Sequence, residues 1–349
     1  MKQVLRAVLG LACVLALAAA FAATRPANSV TPAEHRRGEE QTFLTYPEWF
    51  LVHSPAEYAA YVADHTPGDF PFWGHIHQLW RSYAAVTQAT SEYPFNFGYH
   101  VMICVIASST TVEYAIRSAY ETVIGRLTEL TMSHGLTEED RYGARVAQDY
   151  VDFIRVLPWY EYDFVAKLRG LWRETSLFGP DLLRKWERKY ALTTEYGVKA
   201  AYGWLIKKAT KASYEEPLLV TAVIVDRLPN LGPQLSEVKP LLEMPGGPAL
   251  VTVPRYDAFK GYAIGLAKGG ATFREIAGNG AGARILLTVL APTDWAPAMP
   301  GSSVLFEDPI LTRAGRKRVA LVVPVGDLAR ALNALTAARG VDIEHIYDY

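Results

Sequence analysis

A proline divides this chain into two textures. Up to Ser213 the apolar residues recur at intervals of three and four, as they do on helices. From Leu218 onward, short apolar runs alternate with glycine- and proline-containing joints. The break is Tyr214-Glu215-Glu216-Pro217, because proline supplies no N–H and pushes the residue before it out of the helical region. The expected fold class is α+β. A mainly helical, aromatic-rich domain over 46–213 precedes a C-terminal domain over 218–349, and 349 residues suffice for two cores.

The spacing predicts helices over 99–132, 138–156, 160–174 and from Pro180 to Lys211. The last has an apolar side of Leu183, Trp186, Tyr190, Gly197, Ala201, Trp204 and Leu205, expected to face something apolar: the protein's own interior, a bound amphiphile or the bilayer. Lys185, Arg188, Lys189 and Lys199 are expected to point away from it. In the C-terminal domain, strands are expected at 249–253, 272–277, 284–291, 303–306, 318–325 and 342–347, with helices at 256–268 and 326–339. That order is a ferredoxin-like α+β sandwich with an inserted hairpin. No fixed-period repeat is visible.

The chain opens with Lys2 and Arg6 ahead of an unbroken apolar run, Ala7–Ala23, and Ala20-Phe21-Ala22 has the small-x-small form of a cleavage site. Residues 1–24 therefore read as a signal peptide or a membrane anchor, and 25–45 as a polar linker. Both readings place the protein in the cell envelope, either anchored in the inner membrane or periplasmic. A second apolar stretch, Phe95–Ile116, is the length of a bilayer span but contains His100 and Glu113. It reads as a buried core helix or as a second span.

The net charge of -1 argues against a nucleic-acid binder. The two cysteines offer neither a disulfide framework nor a zinc spacing. No Glu-x-x-His, His-Glu-x-x-His, Gly-x-Ser-x-Gly or Walker loop occurs, so no metal or cofactor is expected. Gly278–Arg284 is glycine-rich but lies between strands, which suits a hairpin better than a phosphate cradle.

Phe70–Tyr83, FPFWGHIHQLWRSY, places Trp73, Ile76, Trp80, Tyr83 and Ala84 on one helical face with His77 at its edge. His75 falls on the polar side with Gln78 and Ser82. Glu113 shares a helical face with Met102, Ile106, Ile116, Tyr120, Ile124 and Leu127. A carboxylate buried there must be paired or protonated, and Arg117 at i+4 is the natural partner. Glu113, His77 and His100 are thus the candidate catalytic groups. The rings Trp73, Trp80, Tyr83, Tyr120, Trp186, Tyr190 and Trp204 are candidates to line a site for an apolar or lipid-like ligand. Arg313, Arg316, Lys317 and Arg318, around a turn, are candidates for contact with headgroups or a partner.

Three functions fit these features. The first is a non-catalytic envelope protein binding a lipid-like ligand or a membrane partner. The second is an enzyme on a lipid-like substrate with Glu113 as acid/base. The third is an assembly subunit with an envelope protein as partner.

Overall fold

The computed structural model describes residues 30–349, apart from 211–217, 231 and 244–246. The expected signal or anchor, Cys13 and the Tyr214–Pro217 break lie outside the described residues. The class is α+β. The described chain runs α1 (Gln41–Leu44), α2 (Tyr46–Val62), α3 (Phe72–Ala89) and α4 (Phe97–Tyr120). A π turn, Glu121–Gly125, and a last turn to Glu129 continue α4. Then come α5 (Glu138–Ile154), α6 (Phe164–Glu174) and α7 (Leu182–Thr210). The second half runs β1 (Val220–Val225), β2 (Lys239–Glu243), β3 (Ala249–Pro254), α8 (Asp257–Lys268), β4 (Phe273–Ile276), β5 (Asn279–Gly280), β6 (Arg284–Pro292), β7 (Ser303–Pro309), β8 (Arg316–Pro324), α9 (Leu328–Ala337) and β9 (Asp342–Tyr347).

Two compact units emerge. Among the described residues the helical unit comprises 48–80 and 102–210; the α+β unit comprises 30–47, 81–101 and 218–349.

In the α+β unit the strands expected to share one sheet are dealt into two, ordered β2-β3-β1-β4-β5 and β7-β8-β6-β9, with every pairing antiparallel. The two sheets repeat one circuit. The first strand of each (β1, β6) is flanked by its third and fourth strands, and one helix joins those two (α8, α9); β5 is an addition at the edge of the first sheet. Val253-Pro254 and Asp257 recur as Val323-Pro324 and Asp327. Each copy turns after its helix on a left-handed glycine, Gly270 (φ 84°) and Gly340 (φ 73°), at the same spacing from the aspartate. The repetition lies in the topology, with few identical residues to announce it. Val223, Val251, Phe259 and Leu266 of the first copy share one core with Leu287, Leu321, Leu332 and Ile346 of the second.

Residues 30–45, read as a linker from their polarity, pack onto this unit. Phe43 and Leu44 are buried, the Thr42 hydroxyl donates to the Tyr347 carbonyl at 2.6 Å, and Arg37 donates to the Thr221 hydroxyl at 3.1 Å. Burial, followed by repulsion from Arg255, lowers the Arg37 guanidinium to about 10.

A candidate site: the charged seam of the helical unit

The helical unit inverts the usual distribution of side chains on three helices. On α7 Leu183 is 58% exposed and Tyr190 64%, with Trp186 and Trp204 exposed too. The adjoining Arg184 and Lys189 are both 0% exposed, and Lys185 and Arg188 are buried. The wheel therefore has the expected two sides, and the apolar one is turned away from the unit's own interior, which excludes that one of its expected partners. On α3, Trp73 and Trp80 face out, His77 is exposed, and His75 and Gln78 are buried beside Phe72, Ile76 and Leu79. On α4 the face shared with Glu113 also points outward, since Ile116, Ile124 and Leu127 are exposed. The buried side of α4 and its continuation carries Ile103, Ala107, Tyr114, Ser118, Glu121, Gly125 and Thr128. These residues are mostly small or polar, so long charged side chains can enter from a neighbouring helix.

Those side chains come from α7, which runs antiparallel to α4. Lys199 meets Glu113 at 3.1 Å, Glu195 meets Arg117 at 3.9 Å, and Arg188 grips both oxygens of Glu121 at 3.0 Å. Such a two-point guanidinium–carboxylate contact fixes orientation as well as charge. Further along, Arg184 donates to Asp140 at 2.9 Å, to Glu187 at 3.1 Å and to the Gly125 carbonyl at 3.2 Å. That carbonyl lies in the π turn and also accepts from Thr128. A side chain at Gly125 would place its Cβ 2.5 Å from a Glu121 oxygen, so glycine makes room for the carboxylate. From α5, Glu139 receives Lys185 at 2.9 Å and Lys189 at 3.2 Å.

The seam pairs its charges. Arg117, Arg184, Lys185, Arg188, Lys189 and Lys199 lie against Glu121, Glu129, Glu139, Asp140, Glu187 and Glu195, and the more exposed Glu113 and Glu138 add further carboxylates to Lys199 and Lys185. Burial pushes the Glu195 carboxyl up, but Arg117 and Lys199 outweigh it and hold the group at about 2. Burial likewise raises Glu187, and Arg188 and Arg184 return it below the ordinary carboxylate range. At Glu121 burial prevails over Arg188 and the carboxyl is raised.

A second buried polar chain joins α2, α3 and α4. The Ser54 hydroxyl lies 2.9 Å from His75 Nδ1 and 2.7 Å from the Tyr114 hydroxyl, and His75 Nε2 is 3.7 Å from Glu57. Phe70 stacks on the His75 ring at 4.7 Å.

The expected site residues fall as follows. Glu113 is 41% exposed at its side chain and pairs with Arg117 at 3.7 Å as well as with Lys199, so it is a seam member at the surface rather than a buried acid. His77 is exposed, and its place in the interior is taken by His75. His100 belongs to the α+β unit, where it lies 2.9 Å from the Tyr83 hydroxyl under the Phe95 ring; burial lowers its pKa. Glu113 and His100 have different partners. Among the rings, Trp73, Trp186, Tyr190 and Trp204 are on the outside. Trp80 is exposed and donates to Thr111 at 2.9 Å, and Tyr120 is half-buried against Glu187. Trp73, Trp80, Trp186, Tyr190 and Trp204 thus turn their rings to the outside of the unit.

The basic turn is largely committed within its own unit. Arg316 holds Asp342 and the Gly340 carbonyl, Lys317 holds Glu307, and Arg318 is buried against Glu344; only Arg313 of the four is exposed. Among the described residues no group of three His, Cys, Asp or Glu side chains is placed to hold a metal ion.

The chain matches no family model, no curated protein and no solved structure.

Proposed function

We propose that this is a non-catalytic protein of the cell envelope whose helical unit binds lipid through the outer faces of α4 and α7. One observation carries the reading: both helices turn apolar side chains outward while their charged residues pair with one another inside. In water this arrangement leaves Val112, Ile116, Leu127, Leu183, Trp186, Tyr190 and Trp204 exposed without benefit, and large exposed apolar faces mark interaction sites. Acyl chains supply the missing apolar phase. Tryptophan and tyrosine suit its edge, and so does Lys208, whose ammonium sits 4.1 Å from the Trp204 ring centre. The apolar run Ala7–Ala23 is consistent with the same location.

The test is tryptophan quenching in the full chain by vesicles with brominated acyl chains, because residues 1–24 contain no tryptophan. Emission should shift to the blue and be quenched. Replacing Trp73, Trp186 and Trp204 with Phe should remove most of the quenched signal. Emission unchanged by the vesicles would reject lipid contact.

A further inference from the structure

The outer faces of α4 and α7 are each long enough to cross a bilayer. Phe97–Glu129 has the length and hydropathy of a span. The neighbouring helix α5 decides between crossing the bilayer and lying along it. It runs parallel to α7 at the same level: Glu138 and Glu139 meet Lys185, Gly143 abuts Leu192, and Tyr150 faces Lys199. Its other side presents Arg141, Arg145, Gln148, Asp149 and Asp152 to the outside. A unit that crossed the bilayer along α7 would carry this charged surface through the hydrocarbon, where ionised side chains are costly and rare.

We infer that the helical unit lies along a single leaflet, with the outer faces of α4 and α7 in the lipid and the outer face of α5 in water. This rests on the lipid reading above and specifies its geometry. Several features favour lipid over a second copy of the chain. The outward apolar positions recur along the whole of α7, from Leu183 to Leu205, and along α4 from Val112 to Leu127, and Trp73 on α3 adds to them. The exposed rings carry polar tips, and the α7 stripe ends in Lys208, as on amphipathic surfaces that lie in the headgroup–acyl boundary.

The two orientations predict different depths. Single-cysteine variants Trp186→Cys, Thr194→Cys and Trp204→Cys, in the full chain with Cys13 and Cys104 replaced by Ser, carry a fluorophore in phosphatidylcholine–phosphatidylglycerol vesicles. Quenching by shallow and deep nitroxide lipids then measures each depth. A unit lying flat gives similar shallow depths at all three positions. A crossing helix places position 194 about 12 Å deeper than 186, from the helical rise of 1.5 Å per residue, and that result would overturn the inference. Absence of quenching at all three sites would instead reject lipid binding itself. Arg145→Cys supplies an independent readout. In sealed vesicles to which protein was added from outside, it should react fully with an impermeant maleimide; protection would count against the orientation.

Discussion

At the scale of single residues, the seam puts every charge beside an opposite one at a cost that only the complete set offsets. Removing one member of a buried ion pair leaves the other uncompensated and typically costs about 3–5 kcal/mol, whereas replacing both with apolar groups is often close to neutral. Arg188→Leu should therefore lower the unfolding free energy by about 3–5 kcal/mol, and Glu121→Leu in the same chain should restore a large part of it. Urea denaturation of the four chains in the double-mutant cycle measures this, and strictly additive losses would show that the Glu121–Arg188 contact is not coupled. Glu195 supplies a pH signature. Its folded pKa, at about 2, is below the ordinary 4.5. Its stabilisation is therefore complete above pH 4.5 and is lost as pH falls from 4.5 toward 2. Glu195→Gln should cost about 2–3 kcal/mol at neutral pH, and the gap between variant and parent should close over that acid window. A gap independent of pH would mean that Glu195 acts through packing alone. Glu113 shows where residue-level reading reached its limit: i+4 spacing identified Arg117, but Lys199 lies far along the chain and only the antiparallel packing of α7 brings it in.

At the scale of elements, period was legible and orientation was not. The helices over 97–129, 138–154, 164–174 and 182–210 follow the expected spans closely, because spacing at three and four residues depends only on the helical repeat. Which side of α3 or α7 faces inward is not set by period alone, since the apolar side of each helix fits the protein interior, a bound amphiphile or a bilayer equally well. Each helix carries two coherent faces, and Arg184-Lys185 with Glu187-Arg188-Lys189 was visible as a charged stripe. The signal that could have fixed the orientation was the matching supply of acids at Glu121 and at Glu138-Glu139-Asp140, enough to partner that stripe internally. The repeated strand circuit of the α+β unit was hidden for a different reason. A strand needs only alternating or continuous apolar residues, so two copies can share a topology while keeping little beyond Val-Pro, an aspartate and a turn glycine. The turn at Thr312–Arg318 is plainly basic in the sequence, but the use of Arg316 and Arg318 within the sheet depends on Asp342 and Glu344 of β9.

At the scale of the whole molecule, the outward apolar faces make solubility and stability separable. In an ordinary globular unit a large apolar side chain is buried, and replacing it with a polar one destabilises the fold. Here Val123, Leu183 and Tyr190 are exposed, so exchanging them loses almost no packing, and substitutions at exposed positions usually change stability by less than about 0.5 kcal/mol. Exposed apolar faces in water favour association between molecules. The chain carrying Val123→Gln, Leu183→Gln and Tyr190→Gln should therefore keep the parent melting temperature within a few degrees while its tendency to associate without detergent falls sharply. Light scattering during detergent dilution, read beside a thermal melt, tests both halves. A large fall in melting temperature would show that these side chains support the fold. Unchanged association would show that the outer faces of α4 and α7 do not drive it, which would remove the reason for assigning them to lipid.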